Sequence, residues 1–491
     1  MSTQSTIACT AIDVYIEQQM RRLKIPGVSL AVVQGDEIVH QRGFGRTGPN
    51  GGVPTPQTTF AIGSLTKSFT ALAVMQLVEA GKIALDDPVQ RYLPWFRVAD
   101  RQASASMTVR HLLHQTSGLP NLEGLRVLAD FDDDPGATER QARALATLKT
   151  DHPPGSAFEY SNLNYNLLGL VIESASGESY ASYIQGHILS PLKMDHTHTS
   201  PAQAAPEAAA VGHRYWFGFP VATPNLPMPR GSLSSGQLIS CAQDMARYLI
   251  AHLSGDRYRD ARLLSGAGID ALLQGTADYH VMGALVGRYG MGWFESDMDG
   301  ARVAWHSGTV PDFAAYMALL SEQNRGVVLL MNADHYMMNP VFTDFGMQVT
   351  ALVAGRKPGP SDFGFISLIP WMLRALPLVP LAQAAGLVAT LLRLRRWRRH
   401  PGTAPGKRRL LARHLLPSLI PNLALAAVPV TLLARRMLRP MALFFPDGTW
   451  IALLCGGWAA VWTFLRSRLL LRAARPDRAQ ARRHRFLTVS F

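Results

Sequence analysis

Beyond residue 360 the chain alternates apolar runs with arginine clusters, and this constrains its fold more than any other feature. Leu376–Leu392, Leu415–Leu433 and Thr449–Leu465 are each about the length of a short membrane span. Nine Lys/Arg, from Arg393 to Arg413, separate the first two runs. Arg435, Arg436 and Arg439 lie in the next loop, and eight arginines, from Arg466 to Arg485, follow the third run. Because Lys/Arg loops stay on the cytoplasmic side, the first linker and the tail are expected in the cytoplasm. Three spans then put the N-terminal part outside. Phe444, Phe445 and Trp450 suit a membrane interface, and Phe363–Leu373 with Arg374 reads as lying along the surface. The competing reading is a soluble helical domain with basic loops, favoured by Pro377, Pro380, Pro417, Pro421 and Pro429 inside the runs. An outward N-terminal part needs export, yet Met1–Met20 lacks the apolar core of a signal peptide. Export would then depend on the first span or on a start further upstream; the alternative is a cytoplasmic N-terminal part, with the charge rule not obeyed.

The formal net charge of +13 suggests a nucleic-acid partner, but its distribution argues against one. After residue 360 there are 21 Lys/Arg and 3 Asp/Glu, a net of +18. The remaining 27 and 32 leave the N-terminal part at −5. The basic excess belongs wholly to the apolar, arginine-rich segment. Cys9, Cys241 and Cys455 form no disulfide framework. His196 and His198, near His187, lack zinc spacing and read as surface residues, so no metal is expected.

The acidic part carries chemistry. Ser64-Leu65-Thr66-Lys67 follows a short extended stretch, Thr59–Ile62, and Gly63, and precedes a run that is apolar nearly all round. Residues i and i+3 share a helix face, so a hydroxyl and a primary amine meet at one spot. Serine is a weak nucleophile until a base takes its proton. Lysine serves as that base once burial or a nearby cation lowers its pKa. The helix N-terminus adds free N–H groups, and the Ser64 amide is a natural oxyanion donor. The motif alone is a weak signal. A second copy, Ser190–Lys193, has Pro191 inside it and no buried helix after it, and reads as chance.

Two later segments add parts. Tyr160-Ser161-Asn162 precedes an apolar helix from about Tyr165 to Ser174. Tyr160 could share a proton with Ser64, and nearby ammonium groups are expected to lower its pKa toward phenolate. Asn162 could donate to a substrate carbonyl. His306-Ser307-Gly308-Thr309 ends a strand-like stretch. Gly308 is expected to let a substrate backbone approach closely, and the Thr309 amide to be a second oxyanion donor.

In this order the segments 64–67, 160–162 and 306–308 resemble the S-x-x-K, Y-x-N and K/H-x-G motifs of the serine β-lactamase-like superfamily, in its class C and DD-peptidase branch. His111–Leu113, Thr116–Pro120, Asp244–Ala246 and Tyr289–Trp293 also look like that family, and the resemblance covers about Ile12 to Gly355. It implies Ser64 as acylated nucleophile, Lys67 and Tyr160 as proton-handling partners, and Asn162 as a substrate ligand. The oxyanion hole would fall on Ser64 and Thr309, with no cofactor. His306 stands where class C β-lactamases carry Lys. That weakens a β-lactamase reading and favours peptidase or esterase chemistry.

The expected fold is α+β: an antiparallel sheet built from both ends of the domain, flanked by helices, with a helical subdomain. An N-terminal helix precedes a hairpin of Val28–Val33 and Glu37–Phe44; Phe313–Leu320 and Gly326–Met331 form another pair. Pro201–Ala210 and Pro220–Pro229 read as loops. The expected domains are 1–357, a hydrolase, and 358–491, a membrane domain. A hydrolase of this family followed by three spans resembles the prodrug-activating peptidases of bacterial natural-product pathways, the colibactin-maturing one among them. This implies an outward-facing inner-membrane enzyme that removes an N-acyl-D-amino-acid cap from a small peptide precursor. Asp312 is a candidate polar contact. A β-lactam-binding sensor, an esterase and a DD-carboxypeptidase are the alternatives. Expected partners are an acyl-peptide substrate and the lipid bilayer, with no nucleic acid and oligomeric state open.

Overall fold

The computed structural model describes residues 3–204, 208–223, 228–255, 257–259, 261–359 and 364–474. Phe363 and the tail arginines 475, 478, 482, 483 and 485 lie outside these residues, as do parts of the two proline-bounded loops. The chain forms two compact units, Met1–Pro370 and Trp371–Phe491.

The first unit is organised by one antiparallel eight-stranded sheet. Its spatial order is Glu37–Gly45, Gly27–Gln34, Arg325–Met331, Phe313–Leu320, Ala301–Val310, Phe294–Met298, Ala284–Tyr289 and Ala277–Val281. The first two strands thus pair with the last ones in the chain, with Leu30 opposite Leu329. This is the sheet expected from both ends. Strand periodicity sends alternate side chains to opposite faces. Ala315, Met317 and Leu319 point into the large core, whereas Tyr316 packs against Gly346 of the helix Asn339–Val353.

That large core surrounds the helix Thr66–Glu79. Eleven residues of this helix, Thr66 to Met75 and Leu77, are buried, as an apolar run without a polar stripe requires. Each fully buried Leu or Phe there contributes about 1.5–3 kcal/mol. Helix Asn162–Ser176 packs beside it and ends at Gly177, whose φ of +79° suits a left-handed cap. One loop expectation fails: His213–Trp216 and Phe219–Ala222 form a hairpin. Pro220 is tolerated because Phe219–Ala222 lies at the edge of its three-stranded sheet.

Among its described residues the second unit has three helices long and apolar enough to cross a membrane: Leu378–Arg399, Lys407–Ala434 and Pro446–Ala473. Ile420, Val430 and Leu454 are 73%, 66% and 67% exposed, an apolar surface that calls for lipid. Pro421 and Pro429 lie within the second helix without ending it. Gly456 lets the third helix approach closely, since a Cβ there would lie 2.7 Å from the Leu425 carbonyl oxygen. Gly364–Ala375 forms a shorter apolar helix.

Candidate active site

A three-residue strand, Thr59–Ala61, leads into a single 3-10 turn, Gly63–Leu65, which continues as the helix Thr66–Glu79. Gly63 has φ +55°, which swings the chain from strand to helix. Ser64 therefore stands at the helix entrance with Lys67 one turn on.

Lys67 is fully buried, and its Nζ sits among three oxygens. It is 2.9 Å from Ser64 Oγ, 2.7 Å from Asn162 Oδ1 and 2.6 Å from the Ser235 backbone oxygen. Among the described residues no carboxylate pairs with it. Burial holds the amine well below the ordinary lysine value, so its neutral form is favoured. A neutral amine has two N–H bonds and one lone pair. Asn162 Oδ1 and the Ser235 carbonyl can only accept, so they take both hydrogens. The lone pair is left facing the Ser64 hydroxyl.

Tyr160 lies over the same spot, hydrogen-bonded to Ser64, with the Lys67 amine 4.9 Å from its ring centre. Burial pushes its phenol well above its ordinary value, with Tyr289 adding and the Ser64 hydrogen bond opposing. This overturns the expected shift toward phenolate. Burial outweighs any charge on the nearby amine. Asn162 begins the helix Asn162–Ser176, and its Nδ2 reaches only the Gly124 oxygen at 3.4 Å.

His306 lies on the strand Ala301–Val310 and is 1% exposed. Its ring centre is 6.2 Å from that of Tyr160. Burial first, and then the nearby Lys67, push it down to about 3, so it is neutral at pH 7. The Ser307 carbonyl, 2.6 Å from Nδ1, can only accept, so Nδ1 carries the proton. Nε2 then faces the Tyr289 hydroxyl at 3.4 Å.

Gly308 meets a different neighbour from the one expected. A Cβ on it would lie 2.1 Å from the Ile62 carbonyl oxygen. The close approach is therefore by the chain's own backbone. It brings the end of the motif strand against Gly63, where a Cβ would lie 2.5 Å from the Thr309 amide nitrogen. Neighbouring backbone thus carries the Thr309 and Ser64 amides at one place. Asp312 is not available as a polar contact. Arg214, 98 positions away, holds it with two bonds of 2.8 and 3.1 Å, and the carboxylate side chain is 0% exposed.

The structure thus gathers Ser64, Lys67, Tyr160, Asn162, His306, Gly308 and Thr309 and sets Asp312 aside. Three groups were missed. The Ser235 carbonyl is a backbone contact with no side-chain signature. Gln115, with φ +59°, accepts from the Ser161 amide at 2.9 Å and fixes the Tyr160 loop. Tyr289, which backs His306, opens the Tyr-Gly-Met-Gly-Trp phrase, and that phrase was the available signal. Ser190 and Lys193 of the second copy are both exposed.

Known proteins give the same picture. The family described as Beta-lactamase matches residues 12–345. "Protein flp" of Staphylococcus aureus (strain MW2) is 29% identical over 332 residues, which is 65% of this chain; the chain spans 62% of that relative's length. "Penicillin-binding protein 4" of Amycolatopsis lactamdurans is 30% identical over 343 residues, 68% of this chain and 87% of the relative. The octameric penicillin-binding protein homologue from Pyrococcus abyssi superposes with a TM-score of 0.62 at 30% identity, covering 73% of this chain and 80% of its own. Sheet, motif order and relatives agree: the chain belongs to the β-lactamase family of serine hydrolases, alongside the penicillin-binding proteins.

Proposed function

We propose that this protein is a membrane-anchored serine peptidase working through an acyl-enzyme on Ser64. The observation that carries the reading is the placement of the buried Lys67 Nζ, 2.9 Å from Ser64 Oγ and within bonding distance of two carbonyl oxygens, Asn162 Oδ1 and that of Ser235. Lys67 takes the Ser64 proton as Oγ attacks the substrate carbonyl. The oxyanion forms at the amides of Ser64 and Thr309. Removing one such donor typically costs about 100- to 1000-fold. Tyr160, a neutral phenol, gives its proton to the leaving nitrogen and is reprotonated from Lys67. Water then releases the acyl group by the reverse proton path.

The substrate class follows from His306 and the second unit. A neutral imidazole offers no fixed positive charge to a β-lactam carboxylate. This favours an uncharged group at that position, as in an N-acyl-D-aminoacyl amide. The three apolar helices anchor the enzyme in a bacterial inner membrane, with the basic linker in the cytoplasm and the hydrolase outside. The enzyme would remove an N-acyl-D-amino-acid cap from a precursor there, and its partners would be that precursor and the bilayer.

A second reading, a β-lactam-binding sensor or DD-carboxypeptidase, is supported by the name of the Amycolatopsis relative. One experiment separates them. The purified protein is incubated with a fluorescent penicillin and, separately, with a panel of N-acyl-D- and N-acyl-L-aminoacyl amides followed by mass spectrometry. Turnover of the D-series supports the peptidase. A persistent penicillin adduct without amide turnover establishes the second reading instead.

A further inference from the structure

Among the described residues, the end of the second unit opposite Asp447 holds a cluster of cations without an acid. Among the described residues from Trp371 onward, Asp447 is the only carboxylate, at the start of the third apolar helix. Arg466 lies 19 residues further along that helix, about 28 Å away at 1.5 Å per residue. Around Arg466 the three helices converge. Leu394 and Trp397 of the first, Leu410 and Leu415 of the second and Leu470 of the third form one buried apolar cluster. The His414 ring sits 5.9 Å from that of Trp397. Arg393 and Arg466 lie within electrostatic reach of each other, and His414 lies within reach of Arg393, Arg413 and Arg466.

Two buried polar atoms at this place have no partner. Arg466 donates from Nη1 to Ser418 Oγ, but its Nε–H has no partner among the described residues. The Thr463 hydroxyl, one turn earlier on the same helix, is likewise buried and unpartnered. Buried polar groups are ordinarily satisfied, so orphaned ones call for a missing ligand. Like-charged guanidiniums converge only at a cost, and arginine does not escape by losing its proton. A group that answers all of this is a phosphate: anionic, rich in acceptors and matched to the guanidinium fork.

We propose that Arg393, Arg413 and Arg466, with Thr463, form a site for the phosphodiester of an anionic phospholipid at the basic end of the three-helix unit. The lipid is preferred to free phosphate because the site is set among Trp397, Leu394, Leu415 and Leu470, beside exposed apolar helix surface that acyl chains would cover. Basic pockets between membrane helices take such headgroups. The inference rests on the three helices being membrane spans and not on the peptidase reading.

The test uses the full chain in detergent, examined by native mass spectrometry with phosphatidylglycerol, phosphatidylcholine or inorganic phosphate. Phosphatidylglycerol adducts are expected to exceed phosphatidylcholine adducts at least tenfold and to survive millimolar inorganic phosphate. Arg466→Gln should remove that preference, Arg466→Lys should keep most of it, and Arg468→Gln should leave it unchanged. Equal retention of the two lipids by the unaltered protein overturns the site, and needs no variant to fold. So does displacement by inorganic phosphate, which would mean a free-anion site, or an Arg466→Gln protein that binds as the original does. Ser64 labelling by a fluorophosphonate, measured in parallel, reports the peptidase reading separately.

Discussion

Gly308→Ala tests whether the close backbone contact at the motif strand builds the oxyanion hole. The added Cβ would lie 2.1 Å from the Ile62 carbonyl oxygen and 3.1 Å from its carbon. An ordinary carbon–oxygen contact is about 3.3 Å. Strand and nucleophile turn must therefore separate by roughly 1.2 Å, because both atoms belong to backbone and neither can rotate away. A misplacement of about 1 Å near the chemistry costs on the order of 100-fold. Loss of one oxyanion donor costs about 100- to 1000-fold, or roughly 2.7–4 kcal/mol. The expected result is a fall of about 100-fold in the second-order rate of fluorophosphonate labelling and in kcat for any turned-over amide, with KM changed far less. Overpacking should also lower stability by about 1–3 kcal/mol, which thermal unfolding will show and which leaves most of the protein folded at 25 °C. A folded Gly308→Ala protein that labels within threefold of the original would refute the placement of Thr309 beside Ser64 as a catalytic device.

Lys67→Arg installs a fixed cation without a removable proton, so labelling of Ser64 should fall by about 100- to 10,000-fold, as it would for Lys67→Met; activity retained in the Arg variant would show that charge, not basicity, is what matters. Labelling should rise with pH through one step, set below the ordinary lysine range by the burial of Lys67. His306, held near 3, should add no step between pH 5 and 8, so His306→Gln should leave the position of the Lys67 step unchanged; a displacement of that step counts against a neutral His306. Between the lowered Lys67 value and the free-lysine value the unfolded chain binds the extra proton. Lys67 should therefore make stability rise with pH across that window, which denaturant titrations at several pH values will measure. Gly456→Leu should drive a wedge between the second and third apolar helices, lowering the unfolding temperature of the detergent-solubilised protein by an overpacking cost of about 1–3 kcal/mol while Ser64 labelling persists.

What the sequence disclosed were the features governed by local spacing. Ser64 and Lys67 are three apart on one helix, so their meeting depends on a single turn. Tyr160 and Asn162 flank the start of one helix, and the order of the three segments identified the fold that unites them. The hairpins Gly27–Gln34 with Glu37–Gly45 and Phe313–Leu320 with Arg325–Met331 were legible because short apolar runs joined by tight turns are local, whereas the hairpin at Pro220 was hidden by its prolines. Features set by distant backbone were not. Ser235 is 168 positions from Lys67, and it contributes a carbonyl that every residue type possesses. Gly308 was read as making room for a substrate because the neighbour that needs the room, Ile62, lies more than 240 positions earlier. Asp312 looked free until Arg214 came across from another strand. The Tyr160 error was one of sign. Charge neighbours are visible in a motif, whereas complete burial, which governs that phenol, belongs to the folded chain.

The two units pose the same electrostatic problem and differ in how it can be resolved. Among the described residues each holds a basic side chain with no carboxylate paired to it: Lys67, wholly buried, in one, and Arg466, whose Nε is buried, in the other. A lone charge in such a place costs several kcal/mol. Lysine has an exit, because it can shed its proton, and in the proposed mechanism the amine that remains is the base for Ser64. The cost of burial is thereby converted into reactivity, and only lysine of the two residues could make that conversion. Arginine has no such exit at any pH a cell reaches. Its charge persists, so the remedy must come from outside the polypeptide, and in a membrane the abundant anion is a lipid phosphate. The same absence of a counter-ion therefore points to catalysis at Lys67 and to ligand binding at Arg466, and the difference follows from the proton affinities of the two side chains.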